Sequence, residues 1–446
     1  HRSEVSSLLS WGQQHQLRRK SCQSKVEVNR YSMFRFMRYM SKFSKTHAVV
    51  CIATARGLIS SISPPQHAGT RKMSNTTSLF LCGDVMLARG IDQILEYSVD
   101  PILYEGNGLD ATGYVTLAIS QNGRIPTQKD RGVSYVWGDA ISILEEQQPD
   151  LRIINLENSV TTNPKPWPDK GIHYRMHPKN VNVIQSAKID CCVLSNNHVL
   201  DWCEEGLLET LGTLQKAGIK YAGAGHNSDE AKSPAVFNLG SKGRVLVFAG
   251  GHGSSGVFYE WKAGSSTPGV NLVEIHNSKS VKEVKEDISR YRKNGDIVVY
   301  SIHWGGNWGF DLDENQKKWA HSLIDTGQVD IIHGHSSHHV KGVELYKGKL
   351  IIYGCGDFLN DYEGISGHER YRGDLALMYF PHVDNQTGNL KRLIMVPTQT
   401  KYLRVNRANE QDIQWLAETM HRECRKFGIG VKRLGNELHL DFPGAE

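Results

Sequence analysis

Apolar and polar positions form two alternating kinds of segment along most of this chain. From Thr77 onward, short runs rich in β-branched and other apolar residues are separated by longer amphipathic or polar stretches. Short apolar runs are typical of buried strands, whereas the longer stretches between them are typical of helices and loops. The pattern therefore predicts an α/β fold from this point on.

Seven of the apolar runs lead directly into polar side chains that can carry out chemistry. Each ending, taken alone, also fits an ordinary turn, a helix cap or a hydrogen-bonded histidine. In open α/β sheets, however, the carboxyl ends of the strands meet where ligands bind, so we expect these side chains to converge on one site. The endings are Gly83-Asp84, Glu157-Asn158, Asn196-Asn197-His198, His252, His303, His335-Ser336-Ser337-His338 and Asp357.

These endings supply carboxylates, an amide oxygen and imidazoles, with no thiolate among them. Such a mixed oxygen and nitrogen set is favoured by Mn²⁺, Fe or Zn²⁺. An ion of this kind lowers the pKa of a bound water and neutralises charge that develops on a phosphoryl or carbonyl oxygen. The pattern predicts a metal-dependent hydrolase that holds one or two divalent ions.

The segment Ser195–Gly218 joins one of these strand ends to an amphipathic helix. Asn197 can offer its amide oxygen to a metal, and His198 can face the substrate as an acid or an electrostatic clamp. Asp201 has two interpretations: it orients His198 by accepting its ring N–H, or it caps the following helix. We favour the cap. The apolar face predicted for this helix consists of Leu207, Leu208, Leu211 and Leu214.

Composition narrows the class of protein. The chain has 446 residues, of which 39% are hydrophobic and 22% charged, as in a soluble globular protein. Its formal charge is +5, but residues 1–76 hold 13 Lys and Arg against two acids, so the rest is acidic. An acidic body argues against nucleic-acid binding. The apolar runs are too short for a membrane span, which needs about 18 apolar residues or more.

The eight cysteines include no C-x-x-C pair, and several lie inside apolar runs. They are typical of reduced, buried thiols in an intracellular protein, which predicts a cytoplasmic location.

The basic leader, residues 1–76, leaves an organellar location open as the alternative. Its lack of acids between Val28 and Gly83 fits an organellar transit segment, whereas a misassigned start, with Met73 as the natural first residue, explains it equally well.

Five blocks of the chain share a further pattern: LFLCGDVMLARGID, NLENSVT, LSNNHVLDWCEEGLLETLGTLQKAGIKYAGAGHN, SIHWGGNWG and DIIHGHSSHHVKGVELYKGKLIIYGCGDFLND. In order and spacing they resemble the CapA family of capsule (poly-γ-glutamate) synthesis proteins, over about residues 78–382. That family looks like a branch of the calcineurin-like metallophosphoesterases. The resemblance therefore implies a β-sandwich flanked by helices, with a two-metal site at the strand ends.

The resemblance also implies roles for single residues. Asp84 would be the first-strand ligand, Glu157 the bridging carboxylate, and His198 the substrate-facing histidine. Met86 stands where a histidine is usual, and its thioether has little affinity for hard cations. Asp357 stands where relatives commonly have Asn, so its carboxylate could compensate as a ligand. The full set of implied metal ligands is Asp84, Glu157, Asn197, His303, His335 and His338.

A second set of residues is suited to contact with a small or polymeric anionic substrate, although solvated loop charges are the alternative interpretation. In addition to Asp357, this set consists of Lys170, His173, Arg175, Arg370 and Arg372.

We expect residues 77–400 to form one metallophosphoesterase-like domain. In the tail, 401–446, the pattern of NEQDIQWLAETMHRECRKFG predicts an amphipathic helix that packs on the domain. The oligomeric state is not predicted.

Three functions fit these observations. The first is a hydrolase acting on a phosphoester or a related anionic substrate. The second is the role in the family's name, in which the chain binds or processes a γ-glutamyl polymer without phosphatase activity. The third, suggested by Met86, is a degenerate, metal-free domain that binds a ligand or a partner.

Overall fold

A computed structural model describes residues 75–106 and 108–445, which contain twenty strands and nine α-helices. The predicted leader lies outside these residues, apart from its last two positions. The strands are β1 (Thr76–Val85), β2 (Leu151–Leu156), β3 (Ser159–Val160), β4 (Arg175–Met176), β5 (Cys191–Val193), β6 (Lys220–Ala222), β7 (Ala224–Gly225), β8 (Ala235–Asn238), β9 (Arg244–Gly251), β10 (Gly269–Val270), β11 (Ile297–His303), β12 (Ile331–His335), β13 (Val343–Tyr346), β14 (Lys349–Ile352), β15 (Asp357–Leu359), β16 (Leu375–Asp384), β17 (Leu390–Thr400), β18 (Val405–Arg407), β19 (Gly430–Leu434) and β20 (Glu437–Asp441).

The helices occupy the longer stretches between the strands. They are α1 (Gly90–Ile94), α2 (Ala111–Asn122), α3 (Ala140–Gln147), α4 (Val181–Ser186), α5 (Cys203–Lys216), α6 (Ser228–Lys232), α7 (Ser278–Ser289), α8 (Glu314–Asp325) and α9 (Glu410–Arg425). Within the described residues, none of these helices is long and apolar enough to cross a membrane.

Two large sheets carry the fold. The first has the strand order β19-β20-β17-β16-β1-β2-β5-β6, with β15 added beside β1 and β18 beside β17. The second has the order β13-β14-β12-β11-β9-β8. Strands β1, β2, β5 and β6 run parallel, as do β9, β11, β12 and β14. Parallel neighbours need crossover connections, and helices provide them for every parallel pair named here except β12 and β14, which β13 connects.

The two sheets share one apolar core, and helices cover their other faces. Leu79 and Leu81 of β1 lie in the same buried cluster as Val247 of β9 and Val299 of β11. Because side chains alternate across a strand, Phe80 points the other way, into a cluster with residues of α3 and α5. The opposite face of the second sheet packs in the same manner against α7 and α8. The predicted α/β class is confirmed.

All seven apolar runs lie in strands, as predicted. The amphipathic pattern near the C-terminus forms α9, and Asn409 caps this helix by accepting from the Asp412 N–H. The prediction was wrong for one residue of α5, because Leu208 is exposed while Leu207, Leu211 and Leu214 are buried. The six cysteines among the described residues are free and buried.

A close backbone contact joins β1 to the chain before β15. The Asp84 N–H donates to the Gly356 carbonyl at 3.1 Å, and a Cβ at Gly83 would lie 1.6 Å from the same oxygen. Only glycine fits there. The contact sets the register in which Asp84 of β1 lies opposite Asp357 of β15.

We therefore expect Gly83→Ala to lower the free energy of unfolding by about 3 kcal/mol, because the methyl group forces the two segments apart. Gly212→Ala is the matched control: Gly212 lies within α5 and a Cβ there meets nothing within 4 Å. That change should raise the free energy of unfolding by about 0.5–1 kcal/mol. Urea unfolding measures both, and equal effects of the two substitutions would contradict the close contact.

Candidate metal centre

Five acidic and imidazole side chains come together at the strand ends. Asp84 lies near the end of β1, Glu157 follows β2, and Asp357 opens β15. His303 and His335 are the last residues of β11 and β12, which pair in parallel with these two residues in register. All five residues are at least 97% buried.

The five side chains form two groups that share Asp84. In one group Asp84 meets His303 and His335; in the other it meets Glu157 and Asp357. The potential ligand atoms within each group all lie within 4.8 Å of one another. Asp84 Oδ1 is 3.9 Å from His303 Nδ1 and 3.8 Å from His335 Nδ1. This spacing suits one or two cations.

Asn197 and Glu157 approach the other nitrogen of His303. Asn197 Oδ1 lies 3.0 Å, and Glu157 Oε1 3.7 Å, from His303 Nε2. The His303 ring therefore lies between these two side chains and the pair formed by Asp84 and His335. Of the six implied ligands, the structure brings Asp84, Glu157, Asn197, His303 and His335 together.

His338 belongs to the acidic side of the centre. Its Nδ1 lies 2.9 Å from Asp357 Oδ2, and the same carboxylate oxygen accepts from Asn360 Nδ2 at 2.9 Å. Met86, by contrast, is buried, and its sulfur accepts a hydrogen bond from the Ala88 N–H.

Asn155 fixes the orientation of Asp84, and the sequence pattern did not single it out. Its Nδ2 donates to Asp84 Oδ1 at 2.7 Å, while its Oδ1 accepts from Asn196 Nδ2 at 3.0 Å. The second oxygen of Asp84 accepts from the Ser336 N–H at 3.2 Å. One feature of the sequence could have pointed to Asn155: it is a polar residue inside the apolar run LRIINL, two positions after Ile153 and therefore on the same face of the strand.

The protonation properties of the centre fit a divalent cation. Burial, followed by repulsion from Asp357, raises the pKa of Asp84, and burial and Asp84 raise the pKa of Glu157. Burial lowers the pKa of His303 and His335, which leaves their rings neutral with a lone pair to offer. Among the described residues, the Glu157 carboxylate accepts no hydrogen bond. A cation would stabilise the ionised carboxylates and accept the imidazole lone pairs.

The structure corrects the favoured role of Asp201. The residue that caps α5 is Trp202, and no side chain bonds the N-terminus of this helix. Asp201 is fully buried and accepts from Lys170 Nζ and the Tyr174 N–H, while His198 Nδ1 lies 2.6 Å from its Oδ2. The other interpretation fits these contacts: Asp201 orients His198.

The His198 ring is contacted on one face and at Nδ1. Tyr174 stacks on it with ring centroids 3.9 Å apart, Asp201 holds Nδ1, and Lys170 Nζ lies 3.1 Å from Nδ1. Within the described residues Nε2 makes no hydrogen bond. Burial, and then the charge of Lys170, lower the pKa of His198, so at neutral pH its Nε2 carries a lone pair.

The remaining cations proposed for substrate contact have other partners in the structure. His173 Nε2 donates to the Trp167 carbonyl, and Arg175 donates to the carbonyls of Asn163 and Asp100 while lying over Trp202. The structure does not bring these two residues into the centre.

Two further arginines lie on the segment after the last histidine block. Arg372 pairs with Asp374 and Asp412. Arg370 is exposed and lies over the Tyr371 ring at 4.4 Å. Of these two, Arg370 alone is left accessible to an anion.

Buried acids and histidines at the strand ends of an α/β fold define a candidate metalloprotein. Residues 78–362 match the family described as bacterial capsule synthesis protein PGA_cap. The chain belongs to this family, which confirms the CapA resemblance.

Two relatives illustrate the likeness. A probable polyglutamine synthesis accessory protein of Mycobacterium tuberculosis is 42% identical over 372 residues, which cover 83% of this chain and 97% of that protein. The PGA biosynthesis protein CapA of Bacillus subtilis is 30% identical over 53% of this chain and 59% of its own. Among solved structures, GAP50, the anchor in the inner membrane complex of Plasmodium, covers 75% of this chain and 89% of its own at 9% identity; its TM-score of 0.32 is too low to bear on function.

Asp201→Asn should lower the free energy of unfolding by about 3 kcal/mol, because it leaves the buried Lys170 ammonium without a counter-charge. Lys170→Met added to Asp201→Asn should recover part of that loss. Denaturant unfolding of the two single variants and the double variant measures the coupling. Additive effects would show that the two side chains do not stabilise each other.

Proposed function

We propose that this chain is a metal-dependent hydrolase of the metallophosphoesterase type, acting on a phosphoester or a related anionic substrate. The observation that carries the proposal is the pair of ligand groups sharing Asp84, one with His303 and His335, the other with Glu157 and Asp357. Two packed sheets with helices outside, and ligands at the strand ends, agree with the architecture that the family resemblance implies. In such a site the ligands come from segments far apart in sequence.

The two groups favour different cations. The group with His303 and His335 offers two nitrogens and an oxygen, a set that suits Zn²⁺ or Fe. The group with Glu157 and Asp357 offers carboxylate oxygens alone, a set that suits Mn²⁺. Asp357 would supply a hard oxygen ligand, which the Met86 thioether cannot. We infer that these residues would hold two divalent ions, with Asp84 contributing to both groups.

Ions bound there supply a hydroxide nucleophile at neutral pH and neutralise charge on the substrate. The chain's own residues do the rest. Asn155 holds the Asp84 carboxylate in one orientation, and Asp201 keeps the proton of His198 on Nδ1. His198 then presents the Nε2 lone pair, which accepts a proton or a hydrogen bond from the substrate side. Lys170 balances the charge of Asp201, so His198 stays neutral.

Recognition of the anionic group rests mainly on the ions. Lys170 is engaged with Asp201, and Arg175 with backbone carbonyls. Arg370 is an exposed cation that a series of ring contacts connects to the centre: its ring partner Tyr371 contacts Trp308, and Trp308 contacts His338 with centroids 5.3 Å apart. We place Arg370 at the outer edge of the site, where it meets a second charge on an extended substrate.

A second function is favoured by the names of the relatives and of the family, which concern polyglutamine or PGA synthesis and capsule synthesis. In that case the chain binds or processes a γ-glutamyl polymer without phosphatase activity. Binding of γ-linked polyglutamate without turnover, by protein that is inert towards phosphoesters, would favour this function.

A third, metal-free function rests on Met86. It would be favoured if protein produced with Mn²⁺ and Zn²⁺ present contains neither metal.

Asn197→Ala and His303→Ala should each weaken Mn²⁺ or Zn²⁺ binding by more than about 100-fold. Loss of a metal ligand lowers the affinity more than loss of a hydrogen bond that supports a ligand, which typically costs about 10- to 100-fold. Hydrolysis across a panel of phosphomonoesters and phosphodiesters should be lost with the metal. Elemental analysis and turnover measure the two effects.

His226→Ala is the control for these variants, because His226 is an exposed histidine paired with Glu230, outside both ligand groups. It should keep the wild-type metal content and rate. Metal-replete wild-type protein that hydrolyses nothing in the panel would contradict the proposed reaction.

Metal affinity should rise with pH across the neutral range. The pKa of Asp84 is raised to about 8 by burial and by Asp357, so below that pH a proton competes with the cation. Between about pH 6 and pH 8 we expect roughly tenfold tighter Mn²⁺ binding per pH unit, levelling off above. Calorimetric titration in buffers of different ionisation enthalpy counts the released protons, and pH-independent affinity would contradict the assignment.

A further inference from the structure

A buried line of hydrogen-bonding atoms runs from His335 away from the metal centre. His335 Nε2 lies 2.8 Å from Ser301 Oγ, and Ser301 Oγ lies 3.1 Å from His333 Nδ1. His333 Nε2 in turn lies 2.7 Å from the carbonyl of Cys82 on β1. All three side chains are at least 99% buried.

Strand register builds this line. On the parallel strands β11 and β12, Ser301 lies beside His333 and His303 beside His335. Side chains two residues apart on a strand share a face, so all four point towards the same side of the second sheet. The backbone of β1 closes the line from the first sheet. The line therefore ties the candidate ligand His335 to the junction between the two sheets.

The donors in this line have one consistent direction. A carbonyl oxygen only accepts, so His333 Nε2 carries a proton and donates to Cys82. Ser301 has one proton to give. A doubly protonated His333 would be a buried cation whose two hydrogen-bonding partners, the Cys82 carbonyl and the Ser301 hydroxyl, are both uncharged, which is costly. Ser301 therefore donates to His333 Nδ1 and accepts from His335 Nε2–H.

This direction leaves a lone pair on His335 Nδ1. That nitrogen faces the centre, 3.8 Å from Asp84 Oδ1, and in the metal-free protein it accepts a hydrogen bond from His303 Nδ1–H at 2.7 Å. A neutral imidazole ligates a metal through its bare nitrogen, and the bond made by the other nitrogen decides which one that is.

We propose that Ser301 and His333 are positioning residues that fix the tautomer and the ring orientation of His335, so that Nδ1 is offered to a divalent cation. The proposal rests on the metal-dependent function proposed above, and it adds two residues that act only through His335. Neither residue touches the substrate. Their contribution is to hold the imidazole in one orientation and in one tautomer, so that its ring does not have to turn when the cation binds.

Nitrogen-15 NMR of histidine-labelled, metal-free full-length protein tests the tautomer directly. Wild-type His335 should show a protonated Nε2 and a bare Nδ1. In Ser301→Ala, which removes the acceptor, the signals should shift towards a mixture of tautomers. A wild-type His335 with a bare Nε2 would overturn the proposal, and this observation needs no variant to fold.

Calorimetric titration with Zn²⁺ and with Mn²⁺ tests the consequence for binding. Ser301→Ala and His333→Phe should each weaken the tighter of the two ions by about 10- to 100-fold, the usual effect of losing a hydrogen bond behind a histidine ligand. Ser301→Thr keeps the hydroxyl and should retain most of the affinity. A purely structural role predicts no such rescue.

Ser280→Ala is the matched control. Ser280 is also buried, and its hydroxyl accepts from Trp319 Nε1 at 3.0 Å in the outer core between α7 and α8. It should bind both ions as the wild type does. Unchanged affinity in folded Ser301→Ala and His333→Phe would overturn the proposal. If the wild type binds neither ion, the metal-dependent function fails, while the tautomer of His335 still decides the role of Ser301 and His333.

Discussion

The centre depends on the close approach of two backbone segments. Because residue 83 is glycine, β1 can lie against the Gly356 carbonyl, and this contact places the Asp84 and Asp357 carboxylates in one buried pocket. Glu157 joins them from β2, while β11 and β12 add two neutral imidazoles. Three carboxylates out of water repel one another, and such a cluster is stable only with protons or a cation among them. The same constraint that shapes the fold therefore points to its chemistry.

Around this pocket, hydrogen bonds hold two of the polar side chains in place. Asn155 and the Ser336 N–H hold Asp84, and Asp201 holds His198. These partners come from both sheets and from the loops between them, so no single segment could form the centre alone. That dependence agrees with the wide spacing of these residues along the chain, from Asp84 to Asp357.

Much of this was visible in the sequence. The apolar runs gave the strands, and their polar ends gave five of the residues that meet, because parallel strands end on the same side. Residues inside the runs were not singled out: Asn155, Ser301 and His333 sit among apolar neighbours, where spacing alone does not distinguish a supporting hydrogen bond from an incidental polar residue. The orientation of Arg175 depends on Trp202 and on distant carbonyls, which local sequence does not encode. Asp201 was assigned to the helix cap because both interpretations place it at the same position.

The most direct test of the account is an anomalous difference map from crystals of the full chain grown with Mn²⁺ and, separately, with Zn²⁺. The account predicts a peak bounded by Asp84, His303 and His335, and a second, favoured by Mn²⁺, bounded by Asp84, Glu157 and Asp357. A metal found elsewhere, with these side chains bonded only to one another, would contradict it.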